Sequence, residues 1–307
     1  MQTILGSGGA IGTALARELA KFTDTIRLVS RHPSKVNPTD QLFSADLTDK
    51  EQVDKAIEGS EVVYLIIGFE YNIKVWRQNW PPLMRNVIDA CKKHRSRLVF
   101  FDNVYMYDRN SMFPMTEATP VHPSSKKGEI RAEIAGMLTN EFGKGELNAL
   151  IARSADFLSL RNSVAVELVF KNLMKGKKAN WLATANKIHN FTFFVDAAKA
   201  TALLGNTPDA FNQVWHLPSL HEKLTGRQWV ELIAKELGVK PRLQVMPVWL
   251  MGLLGLFVPI MRELKEMVYQ QDRDYFFDSS KFEKQFNYQP VTAEESVKQI
   301  HQLLKSD

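Results

Sequence analysis

The sequence predicts an α/β fold on a mainly parallel, doubly wound sheet, and three observations carry that prediction. Through residue 153, short apolar or β-branched runs alternate with stretches of helical periodicity, the order a parallel sheet requires. The chain opens on an apolar run at 2–5 and passes at once into Gly6-Ser-Gly-Gly-Ala-Ile-Gly12, with glycines three apart. Its 307 residues, 45% of them hydrophobic, suffice for a full core in one large domain or two small ones.

Taken in order, residues 2–5 read as a short buried strand, and Ile11, Leu15 and Leu19 share one face of the helix that follows. A second strand covers 25–29, and a third ends near Ser44-Ala45-Asp46-Leu47. Thr48 with Glu51 has the capping-box pattern of a helix start, and Gly59 stops that helix. Residues 61–67 form a β-branched strand ending at Gly68. Pro81 and Pro82 read as the first turn of a helix that runs to His94. Strands at 97–102 and 147–153 flank a helix over 127–142. Beyond Arg153 the alternation loosens into a strand at 191–195, a helix at 197–204, a strand at 213–217 and an amphipathic helix at 225–237. From Pro241 the chain reads as mostly helical, closing over 292–304.

The apolar stretch 247–259 is bounded by prolines and is shorter than the roughly 20 residues of a spanning helix. It reads as a buried helix or a lid over an apolar pocket, with interfacial membrane contact as the remote alternative. With no repeat, low-complexity tract or linker, residues 1–157, completed by 187–217, are assigned to the sheet domain. Residues 158–307 then form a dependent cap over its carboxyl edge, where open α/β sheets bind ligands.

Composition narrows the function. The formal charge of +5 is modest, and no Lys/Arg run interleaves with aromatics as a nucleic-acid groove needs. Neither a nucleic acid nor a membrane is an expected partner. A single cysteine, Cys91, excludes an internal disulfide and fits a reducing compartment. The seven histidines are scattered and none pairs with Cys, Asp or Glu at ligand spacing, so no metal is expected. The first strand begins at once and leaves no room for a signal peptide, which points to the cytoplasm.

Strand, glycine loop and helix together make an anion cradle. The glycines allow a tight turn and close approach of a pyrophosphate, and the helix N-terminus offers partial positive charge. Gly6, Gly9, Ala10, Ile11 and Gly12 are the expected contacts, and Gly68 gives a second point of close approach. An NAD site wants a carboxylate about 20 residues past the glycines. Here Ser30-Arg31-His32 holds that place, with Lys35 behind. A guanidinium there can bind a 2′-phosphate bidentately, so NADP is expected over NAD.

These residues resemble the extended or atypical short-chain dehydrogenase/reductase superfamily, in its NAD(P)-dependent epimerase/dehydratase branch. The likeness runs from Gly6-x-x-Gly9-x-x-Gly12 through Asp46-Leu47, Val104-Tyr-Met-Tyr107, Thr116-Glu117 and Pro120 to Phe194-Val195-Asp196 and Leu224-Thr-Gly-Arg227. It implies a seven-stranded Rossmann sheet with a small, mostly helical substrate-binding C-terminal part. It also implies adenine contacts at Asp46 and Leu47, a small-molecule substrate, and a homodimer paired through the helices over 81–93 and 127–142.

The catalytic set departs from the family. Members that move hydride use a Ser to orient the carbonyl and a Tyr-x-x-x-Lys pair, the Tyr for the proton and the Lys for the ribose. The resemblance puts Asn103 in the Ser place, Lys127 in the Tyr place and Arg131 in the Lys place. Asn103 still has a donor for a carbonyl. Arg131 stays cationic and can bond the ribose, but it hardly gives up a proton. Burial beside Arg131 would oppose the ammonium form of Lys127, as a general acid–base group requires; solvated at a helix start, it would do nothing. Tyr105 is the alternative proton donor, Tyr107 being more often structural in this family. The expected Gly-Pro-Gly after the sixth strand reads Ala155-Asp156-Phe157, with Asp156 set either toward the nicotinamide or as a helix cap.

Two classes of function follow. One is an NAD(P)-dependent reductase- or epimerase-like enzyme with a rebuilt proton-transfer group, acting on an organic carbonyl or sugar-like molecule. The other is a dinucleotide-binding sensor or interaction protein that no longer transfers hydride. The intact cofactor half favours the first, and the loss of Tyr and Lys together favours the second.

Overall fold

Hydrophobic runs covered on both faces decide the sheet. The computed structural model describes residues 1–161 and 163–306. Among them, seven parallel strands form one sheet: β1 (Gln2–Leu5), β2 (Ile26–Ser30), β3 (Gln41–Ser44), β4 (Val62–Leu65), β5 (Arg97–Asp102), β6 (Ala149–Arg153) and β7 (Val214–His216). Their order is β7-β6-β5-β4-β1-β2-β3. β1, β4 and β6 are buried along their whole length, as inner strands of a parallel sheet must be. The order reverses between β1 and β4, the kind of point at which open α/β sheets bind ligands at the carboxyl ends of their strands.

The helices of this unit are α1 (Ala10–Leu19), α2 (Lys50–Ile57), α3 (Ile73–His94), α4 (Lys126–Thr139) and α5 (Phe194–Gly205). Leu5, Val29, Leu65 and Phe100 share one cluster with Leu83 and Val87 of α3 and Ile130 and Ile134 of α4. Each such buried side chain contributes about 1.5–3 kcal/mol. Alternate strand positions, Ile4, Leu28, Tyr64 and Val99, face the opposite side, where α1 packs against α5. There Tyr64 Oη donates to Gln2 Oε1 at 2.8 Å, and burial pushes its phenol well above the ordinary range. A Cβ at Gly205 would stand 2.3 Å from that Oη, so the helix comes this close only as glycine.

The chain divides into two compact units. Met1–Met106, Lys127–Ser154 and Phe194–Leu217 make the sheet unit; Tyr107–Lys126, Ala155–Phe193 and the chain from Pro218 make the other. The second unit holds two short parallel pairs, Ala179–Leu182 with Leu243–Met246 and Phe157–Leu158 with Thr192–Phe193. Its helix Gly226–Leu237 starts in a capping box of Thr225 and Gln228 and ends on Gly238.

The third strand ends at Ser44, as expected; it is an edge strand, mostly exposed, where polar Gln41 and Ser44 are tolerated. Several sequence expectations need correction. The cap of α2 is Asp49, whose Oδ1 accepts from Gln52 N–H at 3.0 Å, and not Thr48 with Glu51. Pro81 and Pro82 lie inside α3, which starts two turns earlier at Ile73 under an Asn72 cap. The carbonyls of Arg77 and Gln78 lose their helical partners to these prolines, but both residues are exposed, where water can replace the bonds. The chain from Pro241, expected to be mostly helical, begins with a strand at Leu243–Met246. Finally, the apolar stretch 247–259 is not a buried helix or a covered lid: Met251 is buried there, while most of its other large side chains reach solvent.

Candidate functional site

The three evenly spaced glycines of the first loop, Gly6, Gly9 and Gly12, serve two different purposes. Gly6 adopts φ +99°, and a Cβ on it would lie 2.6 Å from Ile67 Cα, so the loops after β1 and β4 meet only because this residue is glycine. Gly12 has the chain's own Ser7 carbonyl 2.8 Å from its would-be Cβ. Gly6 and Ser7 both donate their N–H to Val29 O, at 2.9 and 3.1 Å, which ties the loop to β2. Gly9 is different. As N-cap of α1 it has φ −93° and ψ 170°, open to any residue, and a Cβ there would meet nothing within 4 Å. Gly8 and Gly68 face the same kind of open space.

The helix behind this space is left unsatisfied. No side chain caps α1 among the described residues, so its first N–H groups face the opening. The hydroxyls of Ser7 and Ser30, at the carboxyl ends of β1 and β2, are buried with no hydrogen-bond partner among the described residues. An unmet buried hydroxyl costs about 1–3 kcal/mol, which a bound polar ligand can recover. These features fit a dinucleotide phosphate. Ala10 and Ile11 begin α1 and are half-buried. Arg31 is exposed, with its carbonyl accepting from Ser44 Oγ at 2.8 Å. Beside it, the Asp46 carboxyl is held below the ordinary range, chiefly by the Thr48 N–H and hydroxyl and less by Arg31. Leu47 is buried under that turn.

The four candidate catalytic residues are joined in one chain of contacts. Lys127, buried at the start of α4, sets its Nζ 4.7 Å from the centroid of the Tyr71 ring. Tyr71 meets Trp76 edge-on at 5.8 Å, and Trp76 stacks on Tyr105 at 6.2 Å. Tyr105 N–H donates to Asn103 Oδ1 at 3.1 Å, which leaves the amide nitrogen of Asn103 as its donating end. Asn103 N–H in turn donates to Asp102 Oδ1 at 2.8 Å. Arg131 closes the chain: its Nε donates to the same oxygen at 2.8 Å, Nη2 adds a second bond there, and its guanidinium lies 4.6 Å from the Trp80 ring. One turn from Lys127 on α4, Arg131 thus faces a carboxylate rather than open space.

Sequence reasoning missed the centre of this network. Asp102 is fully enclosed, with Arg131 on one oxygen and Arg153 Nε and Nη2, both at 3.2 Å, on the other. The signal was present: an Asp ends the apolar strand Arg97–Asp102 and an Arg ends Ala149–Arg153, and a charge in a buried strand needs a partner. The aromatic residues Tyr71, Trp76 and Trp80 were likewise unassigned. Two further expectations fall in the second unit. Tyr107 is buried and pairs its backbone with Val121. Asp156 caps no helix; it precedes the strand Phe157–Leu158, and its Oδ2 lies 3.0 Å from His189 Nε2, with Gln271 Nε2 at 3.4 Å.

Comparison with known proteins places this geometry. Among curated proteins none matches the chain by sequence. Among solved structures, UDP-N-acetylglucosamine 4-epimerase from Bacillus cereus superposes with a TM-score of 0.78 at 16% identity, over 100% of this chain and 96% of that one. DesIV, a dTDP-glucose 4,6-dehydratase from Streptomyces venezuelae solved with NAD bound, gives 0.81 at 14% identity, over 100% and 98%. UDP-glucuronic acid 4-epimerase from Bacillus cereus, in complex with NAD, gives 0.76 at 16% identity, over 99% of each. At such identities the likeness is one of fold. A family model goes further: spanning residues 3–216, from the first strand of the sheet to its last, it shows that the chain belongs to the NAD dependent epimerase/dehydratase family.

Proposed function

We propose that the protein binds NADP(H) at the glycine loop and acts on a carbonyl or carbinol carbon of a small, sugar-like molecule. The observation that carries this reading is the opening at Gly9, which the protein's own packing does not need and which borders an uncapped helix and two orphaned hydroxyls. Gly6, Gly9, Ala10, Ile11 and Gly12 would hold the pyrophosphate, Ser30 and Arg31 the 2′-phosphate, Asp46 and Leu47 the adenine, with Gly68 leaving room. The bound nicotinamide supplies a site that gives or takes hydride. The names of the structural relatives, all enzymes of nucleotide-linked sugars, support a sugar-like substrate.

The chain's own residues would then divide the work. The amide nitrogen of Asn103 donates to the substrate oxygen, and Lys127 holds the exchanging proton on Nζ, its charge steadied by the Tyr71 ring face. Arg131 acts through Asp102, which fixes the backbone of Asn103. Two measurements test the reading: calorimetric titration with NADPH and NADH, then nicotinamide absorbance on mixing with aldehydes, ketones and nucleotide sugars. Saturable binding and turnover of one substrate class are expected. The second reading, a sensor, rests on Lys127 being 0% exposed and Arg131 being engaged by Asp102. It expects binding with no turnover across the panel.

A further inference from the structure

In the second unit, helices Val248–Leu254 and Pro259–Glu266 pack against each other as a short hairpin. Glycines set their spacing. A Cβ on Gly255 would lie 3.1 Å from Met251 O and 3.2 Å from Arg262 N, and one on Gly252 would lie 3.0 Å from Lys265 Nζ. The inner side of the hairpin is therefore closed, with Met251 buried. Its outer side is apolar and open. Trp249 is 70% exposed, Leu256 75% and Phe257 81%, with Leu253, Val258 and Ile260 also exposed. One exposed leucine needs no explanation, but six large apolar side chains on one hairpin do. Exposure peaks at the turn between the helices, so the apolar surface is a protruding tip rather than a groove.

Between Leu237 and Arg262 every charged side chain is basic, and Glu266, at the far end of the second helix, is half-buried. No acidic residue occurs between Glu236 and Glu263, and Glu263 is itself buried. Lys240 and Arg242 precede the hairpin, and Arg262 and Lys265 follow its turn, all four exposed. Lys265 crosses to the first helix with its Nζ nearest Gly252, 3.0 Å from where a Cβ would stand. A two-fold contact between copies would set these like charges against one another. A lipid surface does the opposite: acyl chains take Trp249, Leu256 and Phe257, and anionic headgroups take the four cations.

We infer that this hairpin is a membrane-surface anchor, seating the protein on anionic lipid without crossing it. Among the described residues no helix is long and apolar enough to span a bilayer, so the contact is interfacial. From the sequence, interfacial contact at 247–259 is only the remote alternative to a buried helix or lid, because a hydrophobic pattern does not show which apolar residues stay uncovered.

Flotation of the full chain with vesicles tests it. The wild type is expected to float with equimolar phosphatidylcholine and phosphatidylglycerol, to float far less with phosphatidylcholine alone, and to be released by salt. Leu256→Glu with Phe257→Glu should abolish flotation with circular dichroism unchanged, since both side chains project into solvent. Lys240→Gln with Arg242→Gln should erase the preference for the anionic vesicle. The inference is overturned if the wild type floats with neither vesicle, or if the Leu256→Glu, Phe257→Glu variant floats like the wild type. A wild-type dimer that this variant dissolves, without flotation of the wild type, would instead assign the tip to a protein interface.

Discussion

Arg131 Nε donates to Asp102 Oδ1 at 2.8 Å, and neither side chain has appreciable contact with solvent. Arg153 holds the other oxygen of the same carboxylate, so one buried anion is shared by two guanidiniums. Removing the anion is therefore worse than removing one cation. Asp102→Ala strands two buried positive charges and should cost about 3–5 kcal/mol. Arg131→Met keeps the Arg153 pair and much of the packing on Trp80 and Phe100, and should cost less. Urea midpoints of the two variants give the order, and a reversed order would show that packing, not charge, holds the site.

The glycine loop separates binding from folding. Gly9→Val puts a branched side chain into the open space at the start of α1, at a φ and ψ valine accepts, so the fold should survive. Dinucleotide binding should not. Gly12→Val meets Ser7 O at 2.8 Å and should lower the thermal midpoint as well. Circular dichroism and titration distinguish the two, and normal cofactor affinity in Gly9→Val would leave the loop as a turn only.

Arg31 is the residue proposed to set the cofactor preference. It is exposed past the end of β2, where an NAD site carries an acid, and a charge-assisted phosphate bond contributes about 1.5–3 kcal/mol. NADPH should bind more tightly than NADH, and Arg31→Ala should remove most of the difference. Equal wild-type affinities for the two cofactors would end the argument.

Stability in acid should report on Asp54, which joins α2 to the end of α3. Its carboxyl is held below the ordinary range, first by the hydrogen bond from Lys93 at 2.6 Å and then by His94 at 3.0 Å. A depressed carboxyl stabilises the fold fully above its unfolded value of about 3.9, and that contribution is lost as pH falls through the lower folded value. Both partners are partly exposed, so Asp54→Asn should cost no more than about 1 kcal/mol at neutral pH. Denaturation at neutral and strongly acid pH should show the gap from wild type closing in acid.

Sequence reasoning reached the fold because local pattern and global architecture agree there: apolar runs alternate with helical faces, and Gly6 and Gly12 are forced by contacts of 2.6 and 2.8 Å. It failed where tertiary context decides. Helix α3 runs through two prolines whose freed carbonyls belong to exposed residues. Strands Ala179–Leu182 and Leu243–Met246 pair across more than 60 residues, which no local signal reports. At the site, the spacing of Lys127 and Arg131 identified one helix face, but the burial of Asp102 and the Tyr71–Trp76–Tyr105 stack depends on where β4, β5 and α3 meet.

The exchanging proton is assigned to Lys127 or Tyr105 by mutation. Lys127 is fully enclosed, with its Nζ on the face of Tyr71 and Tyr105 two aromatic rings away through Trp76. Methionine has nearly the length of the lysine stem, so Lys127→Met should fold and still bind NADPH. If the protein turns over a substrate, this variant should lose about 100- to 10,000-fold in kcat, the usual worth of a positioned proton-transfer group. Tyr105→Phe keeps the stack on Trp76 and should leave turnover in place. An active enzyme indifferent to Lys127→Met but silenced by Tyr105→Phe would move the proton to the tyrosine hydroxyl. A chain that binds NADPH and turns over nothing, with or without Lys127, would establish the sensor reading instead.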